Sequence, residues 1–444
     1  MVNNSVKNIL FVSASTQHAI LDNKLCDELE KKGYSCYHVT VSKEAYDWLK
    51  SKNKKCVYLI KEREKHKLTK NLEHYLTQIE NQYLISTNRI LTGDIDHSRI
   101  KRTKAYEYMI KEFFFWEDFI TKNKIDLMIS GIERFYQMIP RAVLNSKNKQ
   151  TFIFDVGADS NHYRITRDQI YGAIELKKAL ENTKFSPEEI KEAAKILEGL
   201  KKKKQMMYVS KVIDRGYGRP TLDLYNLNFF LKRLWNQFFV EKNKNVYGNI
   251  INIGKQKAIQ SIRKHISKIF YEKFDNIKSE KYFFYAIPAY TDAQVTVRCP
   301  EFIDQLNMIK YIAKSLPAGY KLFVKEHPMY PGVVTIKQLI EIKKLPNLRI
   351  LHPQINSHDI ILNSRGVIVV NSTTGWEAIY HGKPTIILGK PPICKGTLEF
   401  TSTSNLLPSF FRPLNSYRSG TGSPFMRFSD SSAITALSSG ATSL

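Results

Sequence analysis

Short apolar runs alternate with amphipathic stretches along the first half of the chain. The runs that predict buried strands are residues 8–13, 35–41, 125–131 and 151–157. Leu21, Leu25 and Leu29 recur at helical spacing between the first two runs and are followed by Gly33. Strand, helix and strand in this order are typical of a parallel βαβ unit. We therefore predict an α/β domain over residues 1–265, with a mostly helical insertion between its early strands.

A second series of alternating elements follows a basic helical stretch at residues 250–279. Its predicted strands are residues 282–288, 320–325, 348–351, 366–370 and 384–389. Helical patterns separate them at residues 301–315, 335–344, 357–363 and 375–381. Strands that alternate with short helices predict a doubly wound parallel sheet. The second α/β domain is expected to span residues 280–395.

Residues 396–444 have a different composition from the rest of the chain. No lysine follows Lys395, and 18 of these 49 residues are Ser or Thr. Apolar periodicity is weak there, which favours an atypical tail. A flexible tail and a C-terminus altered by a shifted reading frame are both consistent with this abrupt change.

Composition and charge narrow the class of protein. The 444 residues include 68 Lys or Arg against 42 Asp or Glu, a formal net charge of +26 that attracts nucleotides, anionic lipids and nucleic acid alike. The five cysteines form no paired motif, which disfavours a disulfide framework or zinc site and favours a reducing cytosol. No apolar run approaches the ~18 residues of a membrane-spanning helix. We expect a cytoplasmic protein and leave peripheral membrane attachment open.

Residues that could bind a ligand or act in catalysis lie just after three strands of the second predicted sheet. The segments are Tyr290–Gln294 with Asp292, Lys325–Pro328 with His327, and Asn371–Ala378 with a Ser-Thr-Thr-Gly turn. Ligands of open parallel sheets bind at the carboxyl ends of strands, so these segments converge if the sheet is parallel.

The turn at Ser372, Thr373, Thr374 and Gly375 offers hydroxyls and backbone N–H groups at a helix start. Such a place suits a phosphate, although plain N-capping explains the same residues. Glu377 is predicted on the first helical turn, where it would accept ribose hydroxyls or simply favour the helix dipole.

His327 precedes a proline, which holds its backbone extended. Its imidazole can donate to a phosphate or act as an acid, but it can equally be a packed or surface histidine. Lys325 and Glu326 beside it are compatible with a solvated strand end.

Residues 282–390 resemble the C-terminal half of the bacterial capsule and surface-polysaccharide biosynthesis family, which includes β-Kdo transferases. The resemblance is carried by the aromatic strand into Ile287-Pro288, by Asp292 with Gln294, by Lys325-Glu326-His327-Pro328, by Ser372–Ala378, and by Gly382-Lys383-Pro384. The first domain matches only in outline, through residues 130–133 and 154–157.

The resemblance implies the GT-B fold, in which two Rossmann-like doubly wound α/β domains face a cleft. It implies a glycosyltransferase that takes a sugar from a nucleotide-sugar, such as a CMP-Kdo-like donor, to a glycan or glycolipid acceptor. His327 and the Ser372/Thr373 turn would then hold the donor phosphate, and Asp292 matches a catalytic acidic position. Glu133 is a further acid/base candidate, and the donor-binding set is completed by Lys325, Thr374, Gly375 and Glu377.

No Asp-x-Asp motif stands at a strand end, so we expect a metal-independent transferase without a cofactor besides its nucleotide-sugar substrate. Sugar-nucleotide 2-epimerases and polyol-phosphate transferases of similar fold are alternatives. A basic nucleic-acid-binding protein is a third, suggested by the charge and by Lys201–Lys204. It is disfavoured because no nucleic-acid-binding motif is recognisable.

Overall fold

The computed structural model describes residues 6–131, 134–156, 163–166, 183–203, 231–241, 245–247, 249–289, 292–328, 330–389 and 398–399. The chain divides into two compact units, and one point of division falls between residues 255 and 256. Each unit is built around one sheet of six strands among the described residues.

The first sheet has the strand order β3-β2-β1-β4-β5-β6. Its strands are β1 Asn8–Ser13, β2 Ser35–Thr40, β3 Cys56–Tyr58, β4 Leu127–Ile129, β5 Gln150–Val156 and β6 Tyr163–Thr166. All of its strand pairs are parallel except β5 with β6, which is antiparallel. This is the order of a Rossmann-type sheet, whose topological switch point lies between β1 and β4.

Helices cover both faces of the first sheet because successive strand residues point to opposite sides. The helices are α1 Thr16–Lys31, α2 Lys43–Ser51, α3 Leu59–Arg63, α4 Leu72–Tyr83, α5 Thr87–Gly93, α6 Arg102–Lys122 and α7 Phe135–Ser146. Leu10 and Val12 of β1 pack in one core with α6 and α7. Ile9 and Phe11 of the same strand pack with α1 on the other side.

The second sheet repeats the same strand order, read as β12-β11-β10-β7-β8-β9. Its strands are β7 Tyr282–Ala286, β8 Lys321–Lys325, β9 Leu348–Leu351, β10 Gly366–Val369, β11 Thr385–Ile387 and β12 Leu398–Glu399. All of its pairs are parallel. The remaining α-helices of the described residues are α8 Pro187–Lys203, α9 Ile250–Ile266, α10 Phe274–Ile277, α11 Ala293–Thr296, α12 Gln305–Ser315, α13 Ile336–Lys343, α14 Ser357–Asn363 and α15 Thr373–Tyr380.

The two faces of the second sheet pack against different helices. Phe283 and Tyr285 of β7 lie in a core with residues of α12 and α13. Tyr282 and Phe284 lie in a second core with residues of α14 and α15. The helices that follow β7 and β8 therefore cover one face, and those that follow β9 and β10 cover the other, as in a doubly wound sheet.

The described residues among 231–249 belong to the first unit and make polar contacts with it. Glu241 is buried, and its Oε1 accepts hydrogen bonds from Tyr58 Oη at 2.8 Å, Arg233 Nη1 at 2.9 Å and Asn245 Nδ2 at 2.9 Å. Tyr247 Oη donates to Glu112 Oε1 at 3.1 Å. A buried carboxylate needs such donors, since an unpaired buried charge is costly.

The predicted fold class, α/β with two doubly wound units, is confirmed. The short strand β3 lies inside the stretch that the sequence predicted as helical, and β6 was not predicted. Strand β12 lies within residues 396–444, the segment expected to be an atypical tail. Gly396 and Thr397, which precede this strand, and all residues after Glu399 lie outside the described residues. Among the helices that are described, none is long and apolar enough to cross a membrane.

Candidate functional site

The three segments with candidate chemistry lie at one edge of the second sheet. Strand β7 pairs with β8 on one side and with β10 on the other, all in parallel. Their carboxyl ends therefore share an edge. The chain runs from β7 outward through β8 and β9 and then returns to β10, so the switch point lies between β7 and β10. Ligands of doubly wound sheets bind at this point.

The turn after β10 is a capped helix start. Ser372 is the N-cap of α15, and its Oγ accepts a hydrogen bond from Thr374 N at 3.3 Å. The capping interpretation of this turn is thus confirmed for Ser372. Thr373 is exposed at the first helical position. Gly375 is buried, and a Cβ at that position would lie 3.0 Å from Val369 Cγ2, so a glycine lets the helix pack closely on β10.

Two buried polar atoms beside this turn have no hydrogen-bond partner among the described residues. They are Asn371 Nδ2, at the end of β10, and Glu377 Oε2, on α15. Asn371 is 9% exposed and Glu377 is 2% exposed. Buried polar groups are nearly always hydrogen-bonded, so a donor and an acceptor left open at a switch point favour a polar ligand. Asn371 was not among the site residues predicted from sequence, although its strand-end position was visible there.

Lys325, the last residue of β8, is buried rather than solvated. Its Nζ donates to the backbone oxygen of Ile355 at 2.9 Å and to Ser357 Oγ at 2.8 Å. Burial lowers its pKa to about 8, while the charge of Glu377 acts in the opposite direction. The ammonium is thus held between α14 and α15, on the face of the sheet where α15 begins.

Glu377 lies in the second turn of α15, not in the first as the sequence predicted. The helix begins at Thr373, and no acidic residue lies in its first turn. Burial raises the pKa of Glu377 to about 7, and the charge of Lys325 partly offsets this. Near neutral pH this carboxyl is therefore divided between its protonated and ionised forms.

Glu326 and His327 continue the chain beyond β8. Glu326 is buried on the opposite face from Lys325, and it accepts hydrogen bonds from Val334 N at 2.7 Å, Gly332 N at 3.1 Å and Tyr271 Oη at 3.1 Å. The interpretation of Lys325 and Glu326 as a solvated strand end is therefore wrong for both residues.

His327 is half-buried beside the exposed Tyr330, with ring centroids 5.7 Å apart. Burial, together with the nearby charge of Lys325, lowers its pKa to about 4. The imidazole is therefore neutral at pH 7 in the free protein. A bound anion would favour its protonated form.

Asp292 is exposed after β7 and is the N-cap of the short helix α11. Its Oδ1 accepts a hydrogen bond from Gln294 N at 3.0 Å. Arg298 follows at the end of this segment, is buried, and donates through Nη1 to Gln294 Oε1 at 2.7 Å. Arg298 was not among the site residues predicted from sequence.

The first unit contains a candidate acid/base carboxyl, Asp22, besides the predicted Glu133. Glu133 lies outside the described residues. At the end of β1, Ser13 Oγ donates to Asp22 Oδ2 at 2.6 Å. Burial raises the pKa of Asp22 to about 7, and the hydrogen bond from Ser13 opposes this. Since β1 borders the switch point of its sheet, Asp22 is an acid/base candidate that sequence reasoning missed.

Two clusters of potential metal ligands are already occupied by protein groups. Asp94, in an Asp-x-Asp sequence away from any strand end, accepts hydrogen bonds from the backbone N–H groups of Asp96 and His97 at 2.9 Å each and of Phe135 at 2.7 Å. Its carboxylate therefore fixes the start of α7.

The second cluster brings ligand atoms of Cys26, Glu30 and Cys36 within 4.8 Å of one another. Lys54 Nζ lies 2.7 Å from Glu30 Oε2 and 4.0 Å from Cys26 Sγ. An ammonium group at this distance disfavours a cation in the same place.

Residues 225–393 match the sequence model of the family described as "Capsule polysaccharide biosynthesis protein". The family resemblance inferred from residues 282–390 is thereby confirmed. The match covers β7 to β11 and all three strand-end segments, but not the first sheet.

Two curated relatives are capsule polysaccharide modification proteins LipB of Neisseria meningitidis. The serogroup B protein is 24% identical over 294 residues, which cover 62% of this chain and 66% of the relative. The serogroup A protein is 28% identical over 125 residues, 26% of this chain and 29% of the relative. The chain thus spans less than two thirds of the length of either relative.

One solved structure with similarity to this chain is the β-Kdo 2,7 transferase KpsC of Thermosulfurimonas dismutans. The identity is 15% and the TM-score 0.36, over 64% of this chain and 73% of that one.

Proposed function

We propose that this chain is a glycosyltransferase of capsular or surface polysaccharide synthesis, which transfers a sugar from a nucleotide-sugar donor. The observation that carries the proposal is the pair of open buried polar atoms, Asn371 Nδ2 and Glu377 Oε2, at the switch point of the second sheet. The family match over residues 225–393 supports the polysaccharide context.

The donor phosphates would lie over the N-terminus of α15. Backbone N–H groups of its first turn, the hydroxyl of Thr373 and the open Nδ2 of Asn371 are all donors, and the helix dipole favours negative charge there. His327 adds a neutral N–H that becomes a stronger donor as the leaving phosphate gains charge. This set would stabilise the leaving group through the protein's own donors.

The ribose would contact Glu377, which has an open carboxyl oxygen. A hydroxyl can donate to that oxygen in place of water, and Lys325 holds the carboxylate's charge from the other side. Interactions of this kind bind the nucleotide equally in the ground state and the transition state, so they set affinity rather than rate.

The carboxylate of Asp292 would act at the sugar carbon. Its carboxylate is exposed just after β7, on the segment that follows the sheet edge. Direct attack by this carboxylate gives a glycosyl-enzyme and retained stereochemistry, whereas a carboxylate base that activates the acceptor gives inversion. The anomeric configuration of the product distinguishes the two routes.

The nucleotide is identified by thermal shift with CMP, CDP, UDP and GDP, because a ligand that binds only the native state raises its melting temperature. Product analysis with the corresponding sugar donors then separates transfer to an acceptor from 2-epimerisation and from polyol-phosphate transfer. No shift with any of the four nucleotides would contradict the donor site.

Asp292→Asn should abolish turnover while nucleotide affinity stays nearly unchanged. Asp304→Asn is a matched control, because Asp304 is also an exposed N-cap, of α12, and Asn caps helices equally well. Equal activity of both variants would exclude Asp292 from the reaction.

A further inference from the structure

Two cysteines of the first unit lie side by side between a helix and a strand. Cys26 is on α1 and Cys36 is on β2, and both side chains are buried. They belong to the core that Ile9 and Phe11 of β1 form on this face of the sheet. The sulfur atoms of Cys26 and Cys36 lie within 4.8 Å of each other. We call these two residues the thiol pair.

The two thiols interact directly. In the thiol form, Cys36 Sγ donates to the backbone oxygen of Cys26 at 3.8 Å. The hydrogen bond from the Cys26 side chain lowers the pKa of Cys36, burial opposes this, and the charges of Lys54 and Lys55 add to the lowering. The same hydrogen bond, followed by burial, raises the pKa of Cys26. Cys36 is therefore the sulfur that first becomes a thiolate, which is the nucleophilic form.

An ammonium group lies between the thiol pair and two exposed carboxylates. Lys54 Nζ is 4.0 Å from Cys26 Sγ, and it donates to Asp27 Oδ1 at 2.5 Å and to Glu30 Oε2 at 2.7 Å. The side chain of Lys54 is 13% exposed, whereas those of Asp27 and Glu30 are 44% and 39% exposed. The sulfur of Cys26 is thus in contact with a polar cluster that reaches solvent.

Packing alone does not require this arrangement. A buried cysteine ordinarily acts as a small apolar side chain. Cys56, on the neighbouring strand β3, is of this kind, because its Sγ donates to the backbone oxygen of Tyr46 at 3.8 Å and burial raises its pKa. The thiol pair instead combines a second sulfur with an ammonium group, and both features favour thiolate chemistry.

The charge of Lys54 distinguishes between metal binding and oxidation of the thiol pair. A metal cation would lie beside the ammonium group and be repelled by it. A neutral oxidant meets no such repulsion, and the ammonium favours the thiolate that attacks it. Hydrogen peroxide is neutral and small enough to reach a buried sulfur through minor local opening. In a reducing cytosol the resulting disulfide is transient, as in redox-sensing proteins.

We propose that the thiol pair is a reversible oxidation site for hydrogen peroxide, at which a disulfide joins α1 to β2. The Cys36 thiolate attacks a peroxide oxygen, the O–O bond breaks, and the departing hydroxide takes up the proton that Cys36 released. The Cys26 thiol then attacks the sulfenic acid on Cys36, so that the S–S bond forms, the S–O bond breaks and water leaves. Two thiols and one peroxide thus give one disulfide and two waters. A dithiol reverses the step by exchange.

The test is treatment of the folded full chain with hydrogen peroxide, followed by alkylation of the remaining thiols, tryptic digestion and mass spectrometry without reductant. Cleavage after lysine places Cys26 in the peptide 25–31 and Cys36 in the peptide 33–43. These peptides should appear joined, with two hydrogen atoms fewer than the separate peptides, and dithiothreitol should separate them. Cys56 serves as an internal control and should still be alkylated when the thiol pair is fully oxidised.

Lys54→Met separates the effect of the ammonium group from that of the nearby second sulfur. The cross-link should form about tenfold more slowly in this variant at pH 7, because the thiolate is less favoured. Lys54→Arg keeps the charge and should restore much of the rate. Lys52→Met is the matched control, because the exposed Lys52 lies two residues away, outside the cluster, and this variant should be oxidised as fast as the unmodified chain.

Four results would overturn the proposal. Peroxide oxidises Cys56 as fast as the thiol pair, or it converts the pair to sulfinic acids that dithiothreitol does not reduce. The cross-link forms as fast in urea as in the folded chain, which would show that the fold does not position the two sulfurs. Finally, Lys54→Met and Lys52→Met are oxidised at equal rates, so that the ammonium group has no part in the chemistry.

Discussion

Glu377→Gln is expected to stabilise the second unit at pH 8 and at the same time to weaken its binding of nucleotide. The carboxyl is buried, has one oxygen without a partner among the described residues, and has a pKa raised from its ordinary 4.5 to about 7. A group with a raised folded-state pKa favours folding when protonated. The stabilisation is complete below pH 4.5 and is lost as the pH rises through 7.

The size of the effect follows from the two pKa values. The difference between 4.5 and about 7 corresponds to about 3 kcal/mol of folding free energy, most of which is lost between pH 5 and pH 8. Glutamine does not ionise, so the variant keeps this free energy. Relative to the unmodified chain, Glu377→Gln should gain about 2–3 kcal/mol between pH 5 and pH 8. A constant change in packing cancels in this comparison.

Lys325 acts against this gain, because removal of Glu377 leaves it without a counter-charge. Its pKa of about 8 falls further in the variant, and its Nζ keeps the hydrogen bonds to Ile355 and Ser357. At pH 8 the amine can lose its proton rather than remain charged and unpaired. The stabilising effect of Glu377→Gln therefore prevails at pH 8 and above.

The assay is urea denaturation of both chains at pH 5 and pH 8, together with nucleotide affinity at pH 8. Loss of a hydrogen bond from a ribose hydroxyl to a carboxylate should weaken affinity roughly 10- to 100-fold. An unchanged pH dependence of stability would refute the burial argument. Unchanged affinity, with the expected gain in stability, would show that Glu377 does not contact the ligand.

Further substitutions in the segment after β8 distinguish residues that bind the ligand, residues that act in the reaction and residues that stabilise the fold. His327→Ala should lower transfer by about 10²–10⁴-fold with little change in melting temperature, whereas His352→Ala, which also lies between a strand and a proline, should keep full activity. Glu326→Ala should lower the free energy of unfolding by about 3 kcal/mol or more, measured in urea, because three donors lose their acceptor. Gly332→Ala should cost about 2 kcal/mol or more in the same assay, since its φ is +78° and a Cβ meets backbone atoms of α9. Nucleotide affinity should fall as pH rises above about 8, where Lys325 loses its proton, and titration calorimetry of Lys325→Met should show a flatter profile.

The second sheet was predictable because its strands are buried on both faces and read as continuous apolar runs. Strand β3 was missed because Cys56–Tyr58 is only three residues long within a charged stretch. The helix α15 was predicted two residues short, because its start depends on the Ser372 cap rather than on apolar period. That small error placed Glu377 on the wrong turn.

The burial of Lys325 could not be predicted from its neighbours in sequence. In the sequence, a charged pair at a strand end resembles a solvated turn. Lys325 and Glu326 are buried because helices cover both faces of the sheet. Consecutive strand residues point to opposite sides. Lys325 therefore meets α14 and α15, whereas Glu326 meets the loop that precedes α13.

The placement of Lys325 and Glu326 on opposite faces of the sheet explains how His327 is positioned. Glu326 binds the backbone at Gly332 and Val334 and so closes the loop that carries the histidine. Lys325, on the other face, keeps a positive charge close enough to lower the pKa of the imidazole. The histidine is thus held neutral until an anion arrives, and an anion that raises its pKa also raises that of Lys325. Nucleotide binding should therefore be accompanied by proton uptake at His327 and Lys325, and replacement of both groups should remove their share of it.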